Sequence, residues 1–292
     1  MRIRVCTAQD IDRALSMAEA VEVVKDAFVQ LSLKKAQSPV RSSMNLKEPG
    51  QAALVMPAYI EGSGALGAKM VTVLPWNPRA NLPAVQGIVF LFDAATGSPL
   101  AILEGTHLTR FRTGAATGAA TQLLSRPDSR ILAIFGAGGQ AFFQAKGVLA
   151  ARKIESIRIF DLLPEKAEEL INTLRTDAAC REIALLRAGT PTQVLEGADV
   201  VVTVTTSSRP VFDGKLLKEG MHINAIGAFK PEMQEVDEET IRRSRIFVDS
   251  MEACLEEAGD LIIPLKKGLI QRADILGELG EIAAGKKPGR RT

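Results

Sequence analysis

The chain has 292 residues, 46% of them apolar and 24% charged, and 36 Lys+Arg against 34 Asp+Glu leave a formal charge of +2. It is long enough for two domains with real cores, too apolar to be disordered, and too evenly charged for a nucleic-acid binder. Cys6, Cys180 and Cys254 match neither a zinc spacing nor a disulfide framework, and no run approaches the roughly 20 apolar residues that span a bilayer. A cytoplasmic protein without nucleic-acid, membrane or metal partners is expected. With two histidines, His107 and His222, a site built on a histidine cluster is excluded.

Ser16 followed by Glu19 is a capping-box signature, and Val21, Val24, Ala27, Phe28 and Leu31 recur at helical spacing, predicting a helix that ends near Lys35. Ala53–Met56 and Gly67–Leu74 read as strands. Gly87–Asp93 and Pro99–Glu104 form a hairpin about residues 94–98. The stretch Thr113–Leu124, TGAATGAATQLL, predicts a closely packed helix of small residues, broken by Arg126-Pro127. From Ile131 onward strands and helices alternate. Strands are expected at Ile131–Phe135, Ile157–Phe160, Ile183–Leu186, Val200–Val204, Ile223–Ile226 and Ile246–Val248. Helices are expected at Gln140–Arg152, Glu165–Arg175 and near Gln193–Glu196. This rhythm predicts a parallel sheet covered on both faces. The fold class is α/β, a Rossmann dinucleotide-binding domain over 114–292 preceded by a smaller α+β domain over 1–113.

The strand Ile131–Phe135 runs directly into Gly136-Ala137-Gly138-Gly139-Gln140-Ala141, a G-x-G-x-x-A fingerprint. Gly136 allows the tight turn, Gly138 lets backbone approach a pyrophosphate, and Ala141 permits close helix–strand packing. Free N–H groups at the start of the following helix suit phosphate. Asp161 closes the next strand at the spacing where a carboxylate accepts from ribose hydroxyls and repels a 2′-phosphate. NAD is the expected cofactor, with NADP kept open by Arg158 and Lys166.

Three cations of the first domain stand among apolar or small residues: Arg41 in SPVRSSM, Lys69 in LGAKMVT and Arg112 in LTRFRTGAAT. Arg112, placed at the start of the small-residue helix, opposes the helix dipole, which suggests an anionic partner such as a carboxylate. His107 and His222 read as structural histidines. The acidic run Glu232, Glu235, Asp237, Glu238 and Glu239 reads as a helix N-terminus, and Trp76 as a loop anchor.

The stretches LVMPAYI, GAKMVTVLPWNP, LPAVQGIVFLFDAATGSPLAILEG, LTRFRTGAATGAAT, IFGAGGQA, ADVVVTVTTS and INAIGAFKPEMQEVD resemble the ornithine cyclodeaminase/μ-crystallin family, in family order over nearly the whole chain. The resemblance implies a homodimer built through the N-terminal domain, a Rossmann domain binding NAD(P), and small amino, imino or keto acids as substrates. It implies that Arg41 and Arg112 grip the substrate carboxylate and that Lys69 stands beside the reacting nitrogen as the catalytic group. Gly136, Gly138, Gln140, Asp161 and Thr205 would bind the cofactor. The family's cyclodeaminases carry Gly-x-Asp-x-Pro where this sequence reads Gly227-Ala228-Phe229-Lys230-Pro231. Some of the family's alanine dehydrogenases share that aspartate. Phe229 cannot exchange a proton, which argues against ornithine cyclisation and favours the branch that reduces cyclic imines and ketimines, with an alanine dehydrogenase-like activity also kept open. Ala84 replaces a common threonine. A family segment that follows LGEIAAGKKPGRRT and touches the nicotinamide is missing from this sequence, a loss expected to weaken cofactor binding. The expected chemistry is hydride transfer between nicotinamide and the α-carbon of an imino or amino acid. Ornithine cyclodeamination to proline and a non-catalytic NAD(P)- or small-ligand-binding homologue stand as alternatives.

Overall fold

A computed structural model describes residues 2–80 and 82–290. Its first part opens with β1 (Arg4–Cys6) and two helices, α1 (Ala8–Ala14) and α2 (Met17–Ser32). Both helices start at reciprocal capping boxes, Thr7 with Asp10 and Ser16 with Glu19. Strands β2 (Ala36–Gln37), β3 (Ser42–Asn45), β4 (Ala52–Ile60), β5 (Ala65–Val73), β6 (Val85–Asp93) and β7 (Pro99–Glu104) follow. The sheet runs β1-β7-β6-β5-β4-β2, with β3 also on β4, and is antiparallel except where β1 pairs with β7. The predicted hairpin closes as expected: Asp93 and Ser98 bracket a turn in which Gly97 takes φ +70°.

The long helix α3 (Gly105–Leu124) crosses from this sheet to the next layer. It begins well before the predicted Thr113, because the Glu104 carboxylate accepts from the backbone N–H groups of Thr106 (3.0 Å) and His107 (2.5 Å). Glutamate ending a strand gave no usual N-cap signal. Arg112 therefore lies inside the helix and not at its start, so the dipole reasoning does not apply to it. Its surroundings must account for its role.

The second part alternates β8 (Ile131–Phe135), α4 (Ala141–Ala151), β9 (Ser156–Phe160), α5 (Pro164–Thr176), β10 (Ala184–Arg187), α6 (Pro191–Leu195), β11 (Val200–Thr203) and β12 (His222–Ala225). The five strands are parallel in the order β10-β9-β8-β11-β12, the doubly wound arrangement. The buried strand β8, fully apolar, lies at its centre. On one side Leu132, Ile134, Val200 and Val202 pack with the apolar stripe of α5, Ala167, Leu170, Ile171 and Leu174. On the other, Ala133, Phe135 and Val201 meet Val194, Phe212 and Leu261. The chain ends with α7 (Glu238–Arg243), β13 (Ile246–Val248), α8 (Met251–Glu257), α9 (Gly259–Lys266), β14 (Ile275–Glu278) and α10 (Leu279–Ala283). Strand β13, expected to close the parallel series, instead pairs with β14 in a separate two-stranded sheet.

Small residues set how the two parts meet. A Cβ on Gly147 of α4 would fall 1.9 Å from the carbonyl oxygen of Gly114, and one on Gly118 2.7 Å from that of Gly147. The glycines of TGAATGAAT thus let α3 and α4 cross backbone to backbone. This contact fixes the N-terminal half of α3 beside the start of α4. Gly147→Ala must push the helices apart, as neither neighbouring atom belongs to a flexible side chain. We expect it to cost about 3 kcal/mol and to lower the melting temperature by several degrees in calorimetry. An unchanged melting temperature would refute the backbone contact.

Candidate active site and dinucleotide cleft

The C-terminal ends of the parallel strands face one crevice, and the fingerprint lies at the switch point between β9 and β11, on β8. Gly136 has φ +96°, and its N–H donates to the Phe160 carbonyl (2.8 Å). A Cβ there would strike the Val204 carbonyl and the Thr205 methyl at 2.8 Å, so only glycine fits. Asp161 follows β9, accepting from the Ala137 N–H (2.7 Å) and the Leu163 N–H (2.9 Å). The carboxylate is thereby pinned beside the loop it serves.

These residues fit a dinucleotide. Beside Gly138 a Cβ would meet no heavy atom within 4 Å, leaving room for close approach. No side chain caps the first turn of α4, and the Gln140 amide oxygen is buried without a hydrogen-bond partner among the described residues. An uncapped helix start beside that open space offers its free N–H groups to a phosphate, while the Gln140 amide oxygen, an acceptor, suits a donor such as a ribose hydroxyl. Lys166 is engaged with Glu169 (2.8 Å).

Thr205, just past β11, donates its N–H (2.5 Å) and hydroxyl (2.7 Å) to Glu235. The same carboxylate accepts from the Thr203 hydroxyl (2.9 Å) and the Gly227 N–H (2.6 Å). Burial pushes the Glu235 pKa up against these hydrogen bonds. Glu235 therefore ties together the loops after β11 and β12, which border the crevice. Of the acidic run, only Asp237 and its successors form the expected helix start, with Asp237 capping α7. Nothing in a run of surface-like carboxylates marks one as buried, so sequence reasoning missed Glu235.

In the first part of the chain, Arg41, Lys69 and Arg112 come close enough for their charges to act on one another. Lys69 and Val71 lie on the inward face of β5, where Val71 is buried, while Met70 points outward. Arg41 immediately precedes β3, on the same inward alternation as Ser43, whose partner Leu54 is buried. Lys69 has neither an ion-pair nor a hydrogen-bond partner among the described residues. Its pKa falls to about 8, chiefly by desolvation, then by the charges of Arg112 and Arg41. Arg112 remains open to the cleft, yet the surrounding protein desolvates it enough to lower its pKa, partly offset by Asp249, with Arg41 adding repulsion. Three crowded cations, one of them an unpaired lysine, form a site that awaits an anion.

The second part contributes to this cluster through β13 and α8, a contribution not foreseen in the sequence. Glu257, at the end of α8, pairs with Arg41. Asp249 accepts from the Cys254 thiol (3.2 Å), whose pKa is raised by burial and by that carboxylate. Such partners, far away along the chain, have no sequence signal. Phe229, past β12, is 41% exposed, and the Lys230 ammonium lies 5.9 Å from its ring centre. The structure thus keeps an apolar ring where the cyclodeaminase pattern has a carboxylate.

His107, His222 and Trp76 stay outside this arrangement. The His107 ring pairs with Asp12 (2.7 Å) at the α1–α3 contact. His222 is buried against Asn224 (3.1 Å), and burial depresses its pKa to about 4. Trp76 is exposed, with the Arg79 guanidinium 4.4 Å from its ring centre. No group of three or more His, Cys, Asp or Glu able to hold a metal occurs among the described residues. No helix among them is long and apolar enough to cross a membrane.

Comparison with known proteins gives the same architecture a lineage. The chain is 39% identical over 287 residues to the Delta(1)-pyrroline-2-carboxylate reductase of Bacillus cereus (strain ZK / E33L), covering 98% of this chain and 87% of that one. It is 37% identical over 235 residues to the ketimine reductase mu-crystallin of Mus musculus, covering 80% and 70% respectively. The solved Thermococcus litoralis Delta(1)-pyrroline-2-carboxylate reductase, in complex with NADH and L-proline, superposes with a TM-score of 0.93. Its identity is 38%, over 99% of this chain and 89% of that one. The model of the ornithine cyclodeaminase/mu-crystallin family matches residues 2–292, and the chain belongs to that family.

Proposed function

We propose that this protein is an NAD-dependent reductase of small cyclic imino acids or ketimines, with Delta(1)-pyrroline-2-carboxylate as its leading substrate. The observation that carries the reading is Lys69, desolvated, close enough to Arg41 and Arg112 to feel their charges, and without an ion-pair or hydrogen-bond partner among the described residues. Residues 1–113 form the substrate and dimerisation domain and residues 114–292 the cofactor domain, with α3 shared between them. Arg41 and Arg112 hold the substrate carboxylate, Arg41 exchanging Glu257 for it. Gly136, Gly138, Gln140 and Asp161 hold NAD, and Thr205 borders it through the anchor on Glu235. The carboxylate of Asp161 selects against a 2′-phosphate, so NADP is the poorer cofactor.

When bound, NADH supplies the hydride that reduces the C=N bond at its α-carbon. The chain's task is then positional and protonic. The two arginines fix the α-carbon by its carboxylate, an orientation worth several kcal/mol of the barrier. Lys69, mostly protonated below pH 8, polarises the C=N bond and delivers a proton to nitrogen, giving the amine. In the reverse direction neutral Lys69 removes that proton. Phe229 stands where the cyclodeaminase pattern has its aspartate, which argues against ornithine cyclodeamination.

The homodimer is proposed through the outer face of the first sheet. Val55, Met70 and Ile88 stand in register there across β4, β5 and β6, each exposed. A contiguous apolar row of this kind marks an association surface. Free thiols at Cys6, Cys180 and Cys254 suit a reducing, cytoplasmic setting.

The test follows NADH and NADPH absorbance against cyclic imines, pyruvate with ammonium, and ornithine. Net NADH oxidation with a cyclic imine or ketimine supports the reading. Ammonia and proline from ornithine without net NADH change would replace it by cyclodeamination. NADH binding with no turnover on any substrate would favour a non-catalytic homologue.

A further inference from the structure

The LTRFRT segment contains a second arginine, and the structure gives it a place of its own. Arg110 precedes Gly114 by one helical turn, on the face of α3 that crosses α4. Its guanidinium lies flat against the glycine loop. A Cβ on Gly139 would be 3.3 Å from Arg110 Cζ, 3.3 Å from Nη2 and 3.5 Å from Nε, and three such similar distances place the plane of the group over that residue. Arg110 is half-buried and, among the described residues, has neither an ion-pair nor a hydrogen-bond partner. It therefore presents an unneutralised cation beside the uncapped start of α4, itself the positive end of a helix. Two positive elements held together without a counter-ion repel each other, and an anion seated between them removes the cost. The open space at Gly138 lies on the same loop and leaves room for that anion.

We propose that Arg110 is a cofactor-binding residue that reaches from the substrate domain and neutralises the pyrophosphate of the dinucleotide. This deepens the reading above and rests on its dinucleotide site. Arg110 and Arg112 are two residues apart on one helix and project to opposite sides. Helix α3 then carries the cofactor phosphate on one side and the substrate carboxylate on the other. Cofactor binding thereby fixes the element that presents Arg112 to the substrate.

The experiment titrates wild type, Arg110→Met and Arg110→Lys with three probes: NADH, ADP-ribose and adenosine. Binding is followed by fluorescence and calorimetry, and thermal melting of the unliganded proteins checks the fold. Arg110→Met is expected to weaken NADH and ADP-ribose by about 10- to 100-fold, the range of a charge-assisted contact, while adenosine is unaffected. Arg110→Lys recovers part of the loss and verifies the role in a variant that retains the charge. Phosphate-dependent binding in Arg110→Met also becomes less sensitive to salt. Equal affinity of Arg110→Met and wild type for NADH and ADP-ribose would overturn the proposal alone. So would an equal loss for adenosine, which points to a disturbed fold. A wild-type protein that binds none of the dinucleotide probes would overturn both the proposal and the reading beneath it.

Discussion

Lys69→Met is expected to lower kcat for imine reduction by about 10²- to 10⁴-fold, the usual contribution of a positioned proton donor, while NADH affinity changes little. Lys69 belongs to β5 and the glycine loop to the β8–α4 connection, so the two effects separate. Stability should hold or rise, because the substitution removes a desolvated cation flanked by two guanidinium groups. The pH profile gives a sharper result. With its pKa near 8 in the free protein, Lys69 carries its proton at neutral pH and loses it above pH 8. Reductive kcat/KM should therefore fall as pH rises through 8, and the oxidative rate on the amino acid should rise over the same interval. A bound carboxylate adds negative charge beside Lys69 and moves the break upward in kcat. Lys69→Arg should not rescue activity, since a guanidinium holds its proton too tightly to deliver it. A Lys69→Met enzyme with kcat near wild type would remove Lys69 from the mechanism.

Arg112→Met is expected to reduce kcat/KM by about 10²- to 10³-fold, from the loss of a charge-assisted, two-pronged grip on the carboxylate. Arg112→Lys keeps the charge but not the fork, and should recover only part. The variant also tests the electrostatics of the cluster. Desolvation is the main reason for the low Lys69 pKa, and Arg112 is the larger of the two charges that add to it. Without Arg112 the alkaline break in kcat/KM should move to higher pH. A large loss of kcat/KM with an unmoved break would place Arg112 in carboxylate binding but out of electrostatic contact with Lys69. Loss of neither would contradict the assignment of the cationic cluster.

The parts of the fold that sequence made legible are those whose physics is local. Alternating patterns and turn chemistry gave β4 to β7, the capping box gave α2, and the glycine fingerprint with Asp161 gave the β8–α4 loop and the carboxylate pinned beside it. The start of α3 was missed because its cap is a glutamate at the end of a strand. Strands β1, β2 and β3 are too short to show a period, yet β3 carries the chain on from Arg41. The site divides in the same way. Arg41, Lys69 and Arg112 stood out as cations among small and apolar neighbours. Glu257, Asp249 and Glu235 did not, because their roles arise from contacts between segments distant in sequence. Arg110 was on view in LTRFRT, but only the crossing of α3 and α4 at Gly114 and Gly147 shows that its guanidinium lies against the glycine loop.

The central claim is that hydride and proton meet on one C=N bond, the hydride from nicotinamide C4 and the proton from Lys69. Its most direct test supplies Delta(1)-pyrroline-2-carboxylate with NADH deuterated at both C4 positions and examines the proline formed by mass spectrometry and NMR. The account predicts a single deuterium, at the α-carbon, with NADH consumed in equal amount. Proline without deuterium at that carbon, or proline formed from ornithine with no net loss of NADH, would contradict it.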